Sequence, residues 1–271
     1  MMVSIITVCY NAANHIEDAI KSVLAQSYKN IEYIIVDGKS TDGTLDLINK
    51  YRDKISMVVS EDDDGIYDAM NKGIRLAAGD IIYFLNSDDR LNDKDVISDV
   101  VNEFNNNHDV GLIYGKVHFI NVPPEVMPYV KEYRIIKKKN DLLEQGLCHQ
   151  SIFVKKWVFD KTGCFGKSVF YADFDWLLSV YASSVKMRFV DRYICFYNYV
   201  GFTYQDYSNK WIMARAYIIY KYFPFGVFLF YLFRYILLRR LNSKRKHIYM
   251  HIKSWAKNFI KNQRKEQERC F

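Results

Sequence analysis

The chain has 271 residues and a formal charge of +7, and half of its residues are hydrophobic. This composition excludes a disordered or fibrous protein and predicts one large globular domain with an appendage. The charge is uneven, because 12 Lys and Arg stand against two Glu from Arg234 onward. A basic segment of this kind indicates an anionic surface as its partner.

The five cysteines are odd in number and show neither a CxxC pair nor Cys/His ligand spacing. This excludes a zinc-finger type of site and favours buried thiols in a reducing compartment. A strand-like run begins at Val3 without a basic flank, so we expect no signal peptide and a cytoplasmic location.

The first ninety residues alternate short apolar runs with amphipathic stretches. Runs rich in β-branched residues predict strands, and a 3.6-residue spacing of apolar positions predicts helices. The predicted strands are 3–8, 31–36, 55–59 and 81–85. The predicted helices are 44–51, 67–76 and an earlier one that Asn14 caps, with Glu17 at capping-box spacing. This alternation predicts a parallel sheet with right-handed crossovers.

The pattern after residue 90 is less regular. We expect Asp93 to cap a helix that ends near Asn105, and Lys137–Lys139 to lie in an exposed loop. Further strands are predicted at 111–120, 151–155, 187–190 and 193–197, with a helix at 173–182. Beyond Asn209 the sequence becomes helical, aromatic and finally basic. We therefore divide the chain into a main domain, 1–208, and a tail, 209–271.

Polar clusters follow each of the first four predicted strands. In a parallel sheet, ligands bind beyond the carboxyl ends of the strands, so these clusters mark the predicted site. The clusters are Tyr10-Asn11, Asp37-Gly38-Lys39-Ser40, Glu61 to Gly65, and Asn86-Ser87-Asp88-Asp89.

Two of these clusters have a catalytic and a structural interpretation. Asp88 and Asp89 can share Mg²⁺ or Mn²⁺ with diphosphate oxygens, or they can form an acidic turn that caps the next helix. Asp37 can accept a hydrogen bond from a nucleobase imide or a ribose, or it can form an Asx turn.

Three common nucleotide-site motifs are absent from the sequence. There is no GxGxxG after the first strand and no GxxxxGK[ST]. Lys39 stands two residues after Asp37, where a phosphoaspartyl hydrolase needs a second acid. These absences exclude a dinucleotide Rossmann site, a P-loop and a phosphoaspartyl hydrolase.

The motifs occur together in a specific order. The order is Thr7-Val8-Cys9-Tyr10-Asn11, Asp37-Gly38-x-Ser40-x-Asp42-Gly43-Thr44, Asp64-Gly65-Ile66-Tyr67-Asp68-Ala69-Met70-Asn71-Lys72-Gly73, Gly79-Asp80 and Phe84-Leu85-Asn86-Ser87-Asp88-Asp89. With these motifs the chain resembles the family-2 inverting glycosyltransferases of GT-A fold, in particular the bacterial surface-polysaccharide branch, over about residues 2–200. The resemblance implies an α/β domain with a Rossmann-like, mostly parallel sheet flanked by helices.

The resemblance also implies a donor, a cofactor and the residues that bind them. The donor would be a nucleotide sugar, most often UDP-linked in this family, and the cofactor Mg²⁺ or Mn²⁺. Asp89 would ligate the metal directly, while Asp88 would reach the ribose or a metal-bound water. The other donor-binding positions are Thr7, Tyr10, Asn11 and Asp37 at the base and ribose, and Asp68, Asn71 and Lys72 at the diphosphate or sugar. For Tyr10 and Asn71, core packing and helix capping are the alternatives.

An inverting transfer requires a base that takes the proton of the acceptor hydroxyl. The resemblance places this base at Asp173, with Asp175 as the competitor. The alternative is that Asp173 only caps the helix that begins there. His149 and Gln150 would line the active site near donor or acceptor, although a lone His is more often structural.

The aromatic stretch Tyr222–Phe233 carries no charge, but Lys221, Pro224 and Arg234 interrupt the wider apolar segment. The stretch is shorter than the roughly 20 apolar residues of a spanning helix. Aromatic residues with flanking Arg and Lys predict a helix that lies in the membrane interface. A helix packed on the core and a subunit interface are the alternatives.

We therefore expect a glycosyltransferase bound peripherally to the inner face of the plasma membrane. Its acceptor would be a polyprenyl-linked or growing polysaccharide, and no nucleic-acid partner is expected. A QxxRW motif is absent, so processive polymerisation is not expected. The rival functions are a sugar-phosphate nucleotidyltransferase, which needs a Gly-rich loop after the first strand, and an inactive binding or scaffold protein. The presence of Asp88, Asp89 and Asp173 argues against the second rival.

Overall fold

The computed structural model describes residues 1–124, 127, 133–166, 171–199 and 209–240. The chain divides into two compact units, and the boundary falls between Ala214 and Arg215. The predicted boundary at residue 208 lies six residues earlier and stays a prediction.

The first unit is built around one mixed sheet. Its described strands are β1 Val3–Cys9, β2 Ile31–Asp37, β3 Met57–Ser60, β4 Ile81–Phe84, β5 Arg90–Leu91, β6 Val110–Ile120, β7 Ile152–Lys155 and β8 Lys186–Asn198. Its described helices are α1 Ile16–Leu24, α2 Thr44–Asn49, α3 Ile66–Leu76, α4 Val96–Asn106, α5 Lys139–Gln145, α6 Trp157–Thr162 and α7 Ala172–Ala182. Single 3₁₀ turns lie at Arg52–Lys54 and His149–Ser151.

The strand order is β3-β2-β1-β4-β7-β6-β8-β5. β1 to β4 are mutually parallel, β6 is parallel to β8, and β7 runs antiparallel to its neighbours β4 and β6. β5 pairs antiparallel with β8. This architecture confirms the predicted α/β fold with a mostly parallel sheet flanked by helices.

The centre of the sheet is β1, an apolar run that is buried along its whole length. Strands pair with it on both sides, so its residues face helices or other core side chains rather than water. α3 packs closely on this strand because Gly73 has no side chain. A Cβ at Gly73 would clash with the Ile6 side chain.

Two predicted helix caps are wrong. α1 begins at Ile16 without a side-chain cap, and Glu17 instead accepts a hydrogen bond from the Tyr51 hydroxyl at 2.6 Å. The Asp93 carboxylate accepts from the Asp95 backbone N–H and from the guanidinium of Arg192. Asp93 therefore forms an ion pair with a residue distant in sequence and does not cap α4. In both cases a distant partner takes the side chain that local spacing assigned to a cap.

The later part of the first unit also departs from the prediction. The two strands predicted at 187–190 and 193–197 are one strand, β8, whose register with β6 is irregular. The predicted loop at Lys137–Lys139 leads directly into α5, where Asp141 accepts from the backbone N–H groups of Lys137 and Lys138. β5 and α6 were not predicted.

Two helices follow, α8 at Asn209–Tyr222 and α9 at Phe225–Arg240. Large apolar side chains on both are more than 45% exposed: Met213, Tyr217, Tyr220, Phe225, Leu229 and Phe233. None of the helices in the described part of the chain has the length and apolar content that crossing a membrane requires.

The close approach of α3 to β1 is testable with Gly73→Ala. The added methyl group would overlap Ile6, and overpacking of this kind costs about 1–3 kcal/mol. We expect a lower urea midpoint with an unchanged slope. Gly166→Ala is the control, since no described atom lies within 4 Å of a Cβ at Gly166. Equal stability of the two variants would contradict the packing assigned to Gly73.

Candidate active site

The carboxyl ends of β1, β2 and β4 lie side by side, because β1 is paired with both neighbours. The polar clusters that follow these strands therefore meet at one edge of the sheet. Asn11 joins two of them: its backbone N–H donates to Ser40 Oγ at 2.8 Å, and its Oδ1 accepts from the Thr41 N–H at 2.9 Å. Asn11 has a φ of 50°. The neighbouring Tyr10 is 67% exposed and presents its ring to solvent at this edge.

Thr7 and Asp37 do not reach the surface of this edge. Both side chains are fully buried. The Thr7 hydroxyl lies 3.1 Å from the Tyr33 hydroxyl, and Asp37 Oδ2 accepts from the Ser40 N–H at 3.0 Å and from Ser60 Oγ at 2.7 Å. The predicted contact of Thr7 and Asp37 with base and ribose stays a prediction. The bond from the Ser40 N–H, three residues on, shapes this loop from below, while an Asx turn, the alternative, would take the N–H two residues on.

A residue that the sequence analysis did not single out, Asp63, lies at this edge instead. A Cβ placed on Gly38 would lie 2.6 Å from Asp63 Oδ2 and 3.4 Å from the ring of Tyr10. The other Asp63 oxygen accepts from the Gly65 N–H at 2.8 Å. A carboxylate and an exposed aromatic ring thus flank a residue without a side chain. The only signal in the sequence was the acidic run that follows β3.

α3 carries the three residues predicted to border the diphosphate or sugar. Lys72 Nζ lies 3.0 Å from Glu61 Oε1 and 3.5 Å from Asp68 Oδ2, so two acids share one ammonium group. The amide of Asn71 donates to the Phe165 carbonyl at 2.9 Å and accepts from the Phe165 N–H at 3.0 Å. Asn71 thus holds the backbone at Phe165 with one donated and one accepted bond, and its predicted ligand contact stays a prediction.

The turn after β4 carries two adjacent carboxylates in different environments. Asp89 is 3% exposed, and its two oxygens accept from Gln150 Nε2 and from the Asn198 N–H, each at 2.8 Å. Asp88 is only partly buried. Burial and the charge of Asp88 together raise the pKa of Asp89 to about 8, and burial raises the pKa of Asp88. A cation beside these carboxylates would relieve the cost of their charge.

The residues around this turn fit a cation that shares its ligands with a substrate. Within the described ranges, no group of three or more His, Cys, Asp or Glu side chains is placed to hold a metal ion. Mg²⁺ is commonly bound by one or two carboxylates together with substrate phosphates and water, and this site offers that number. Each oxygen of Asp89 accepts one hydrogen bond inside the protein, and Asp88 is the more exposed of the two carboxylates.

Asp173 lies in the first turn of α7, after Tyr171, which has a φ of 57°. Its Oδ1 accepts from the Tyr67 hydroxyl at 2.8 Å and from the Phe174 N–H at 2.9 Å, and its Oδ2 lies 3.3 Å from His149 Nδ1. Burial raises the pKa of Asp173, but the hydrogen bonds and the charge of His149 outweigh it, so the pKa lies below its usual value. The carboxyl group is therefore ionised at neutral pH and able to take a proton.

Asp173 is not the residue that caps α7. The helix has Tyr171 at its N-cap position and no side-chain cap bond. Asp175, the competitor, lies two residues further along the helix, and residues at this separation do not share a helix face. The structure thus brings Asp173, His149 and the turn at Asn86 together and sets Asp175 apart from them.

Comparison with known proteins gives the family of the chain. Residues 4–161 match the glycosyl transferase family 2. Over 205 residues the chain is 29% identical to the PGL/p-HBAD biosynthesis glycosyltransferase of Mycobacterium tuberculosis, which covers 74% of this chain and 78% of that protein. Over 92 residues it is 45% identical to the protein of Bacillus subtilis named as a teichuronic acid biosynthesis glycosyltransferase, TuaG, with 33% of this chain and 36% of that protein covered.

Two solved structures share the fold. Residues 1–349 of Staphylococcus aureus TarS, in complex with UDP-GlcNAc, align with a TM-score of 0.66 at 20% identity, covering 80% of this chain and 65% of that chain. The mannosyltransferase PcManGT from Pyrobaculum calidifontis, in complex with GDP-Man and Mn²⁺, aligns with a TM-score of 0.58 at 19% identity, covering 79% and 60%. The match over more than half of its length, together with this GT-A architecture, shows that the chain belongs to glycosyl transferase family 2 and is a glycosyltransferase.

Proposed function

We propose that the enzyme transfers a sugar from a nucleotide-sugar donor, UDP-linked, to a hydroxyl of a polyprenyl-linked or growing surface polysaccharide, with inversion at the anomeric carbon. The observation that carries this proposal is an ionised Asp173 held beside the acidic turn at Asp88. The names of the TuaG and PGL/p-HBAD relatives support a surface-glycan product, and the UDP-GlcNAc complex of TarS supports the donor class.

The donor diphosphate would lie at the turn after β4. We assign the metal contact to Asp88 rather than Asp89, because Asp88 is the more exposed carboxylate, while Asp89 is 3% exposed and is held by two hydrogen bonds inside the protein. A bound Mg²⁺ or Mn²⁺ would neutralise the charge that develops on the leaving diphosphate. The exposed ring of Tyr10 and the carboxylate of Asp63 would meet the nucleobase, while Asn11 keeps the two loops together.

Asp173 would act as the general base. The acceptor oxygen forms a bond to the anomeric carbon while the bond from that carbon to the diphosphate oxygen breaks. The hydroxyl proton passes to the Asp173 carboxylate. Attack from the side opposite the leaving group inverts the anomeric configuration. A positioned base of this kind contributes about 10²–10⁴ in rate.

The last two described helices support attachment to a membrane surface. Their large exposed side chains provide an apolar contact, and the 12 Lys and Arg from Arg234 onward provide the charge. Basic residues near an anionic lipid surface each contribute about 1 kcal/mol. We propose that this segment holds the enzyme peripherally at the inner face of the plasma membrane, where a lipid-linked acceptor is presented.

Asp88→Asn tests the metal assignment. The amide cannot supply the charge, so UDP should lose the Mn²⁺-dependent part of its binding, and transfer should fall by at least about 10²-fold. Thermal stabilisation by UDP with and without Mn²⁺ measures the first effect, since a ligand at 100 times its Kd adds about 2.7 kcal/mol. Asp89→Asn should instead lower the melting temperature without ligand. The assignment would be reversed if Asp89→Asn were stable but had lost Mn²⁺-dependent UDP binding, while Asp88→Asn kept that binding. Asp89 would then be the metal ligand.

Asp173→Asn tests the base. The amide keeps the shape of the side chain but takes no proton, so transfer should fall by about 10² or more while donor affinity stays within a few-fold. In the unchanged enzyme at saturating Mn²⁺, whose charge favours ionised Asp88 and Asp89, activity should be level near neutral pH and fall as acid protonates Asp173 below its usual pKa. Asp175→Asn is the matched control. An active Asp173→Asn enzyme, or retention of configuration seen by NMR, would overturn the mechanism.

The membrane contact is testable by replacing three exposed side chains in the full chain: Phe225, Leu229 and Phe233, each with Ser. Burying a large apolar side chain is worth about 1.5–3 kcal/mol, so flotation with phosphatidylglycerol vesicles at high salt should fall at least ~10-fold. Ile135→Ser, at an exposed site in the first unit, should float normally. Normal flotation of the triple variant would contradict the proposal, and a changed oligomeric state would assign these side chains to a subunit interface.

A further inference from the structure

The 3₁₀ turn His149–Ser151 holds the acidic turn after β4 at both of its ends. His149 Nε2 lies 3.2 Å from Asn86 Oδ1, and Gln150 Nε2 donates to Asp89 Oδ2 at 2.8 Å. Asp88, the residue assigned to the cation, lies between these two contacts. Adjacent residues of one turn therefore fix the segment that receives the donor diphosphate.

The second nitrogen of His149 reaches the base. Nδ1 lies 3.3 Å from Asp173 Oδ2, and a carboxylate only accepts, so Nδ1 carries a proton. The Tyr67 hydroxyl holds the other oxygen of Asp173 from α3. On the far side of the ring, Asn86 can pair with Nε2 whether this nitrogen donates or accepts, since its amide can present either the oxygen or the NH₂ group. One imidazole thus connects the base with the donor-side turn.

The His149 ring is held in place by its surroundings. Its side chain is 13% exposed and meets the Phe84 ring edge-on, with centroids 6.4 Å apart. The turn itself is anchored, because the Tyr83 hydroxyl donates to the Gln150 carbonyl at 3.0 Å and the Cys148 N–H donates to the Tyr133 hydroxyl at 3.0 Å. With both nitrogens engaged inside the protein, the ring has no polar atom left for an acceptor sugar.

We infer that His149 is a positioning residue that fixes the Asp173 carboxylate relative to the donor-binding turn. It would hold the base at the distance from the leaving group that in-line attack requires. The inference rests on the proposed role of Asp173 as the base. Misplacement of a reacting group by about 1 Å costs roughly 10²-fold in rate, which is the scale of effect expected when this bridge is broken.

Two substitutions separate the two halves of the bridge. The amide nitrogen of His149→Asn falls near the position of Nδ1, so this variant keeps the contact with Asp173 and loses Asn86. The amide of His149→Gln falls near Nε2, so it keeps Asn86 and loses Asp173. We expect His149→Gln to lower kcat by about 10–10² with a nearly unchanged donor KM. His149→Asn should retain most of kcat and raise the donor KM.

The pH profile gives a readout that a purely structural histidine would not move. Asp173 is faced by Tyr67 from α3, by His149 and the Cys148 thiol from the 3₁₀ turn and its flank, and by the Phe174 N–H of α7. Loss of the Nδ1 hydrogen bond removes a contribution that lowers the pKa of Asp173. A base with a higher pKa is protonated earlier as the pH falls, so the acid limb of kcat/KM should move to higher pH in His149→Gln but not in His149→Asn.

Controls keep the two proposals distinguishable. His108→Ala, at an exposed histidine before β6, should leave kcat, KM and the acid limb unchanged. If His149 variants fail to fold, Asn86→Ala breaks the bridge from the other end and should reproduce the raised donor KM of His149→Asn. Wild-type kcat and acid limb in His149→Gln, with an inactive Asp173→Asn, would overturn the positioning role alone. An active Asp173→Asn would overturn the base itself.

Discussion

The arrangement of the site depends on the burial of one carboxylate, Asp89. A carboxyl group that is removed from water is costly unless its oxygens find donors. The two donors come from Gln150, ahead of β7, and from the last residue of β8. Satisfying Asp89 therefore joins the end of β4 to two strands that come much later in the chain. The neighbouring Asp88 remains the more exposed carboxylate of this turn.

The elements of the fold were predictable where the signal was local. The apolar runs of β1, β2 and β4 and the amphipathic spacing of α3 follow from periodicity, and their alternation is sufficient to locate the edge where ligands bind. The predicted caps of α1 and α4 failed because Tyr51 and Arg192 compete for the same side chains across more than 30 residues of sequence. Contacts between residues so far apart in the sequence cannot be predicted from the spacing of neighbouring residues.

Within the site, sequence position identified the correct loops but not the depth of each side chain. Thr7 lies within β1 and Asp37 ends β2, and both side chains are buried under the elements that cover the sheet, while Tyr10 lies one step beyond β1 and is exposed. The choice of Asp173 came from a family resemblance. Its contacts with Tyr67 and His149 arise only when α3 and the 3₁₀ turn pack against α7, and the same holds for Asp63 beside Gly38.

The distribution of charge separates the chemistry from the proposed attachment. Before Arg234 the chain has 26 Lys and Arg against 29 Asp and Glu, and acidic groups surround the donor edge at Asp62, Asp63 and Asp64. Such a surface is not attracted to anionic lipid, and in the proposed function a metal ion and Lys72 would offset its charge where the diphosphate binds. The excess of positive charge lies entirely after residue 233, where it can interact with lipid without competing for the donor. Salt screens the attraction between an exposed basic segment and a lipid surface but has little effect on buried carboxylates. Raising the ionic strength should therefore weaken the proposed membrane binding more than the proposed binding of the donor.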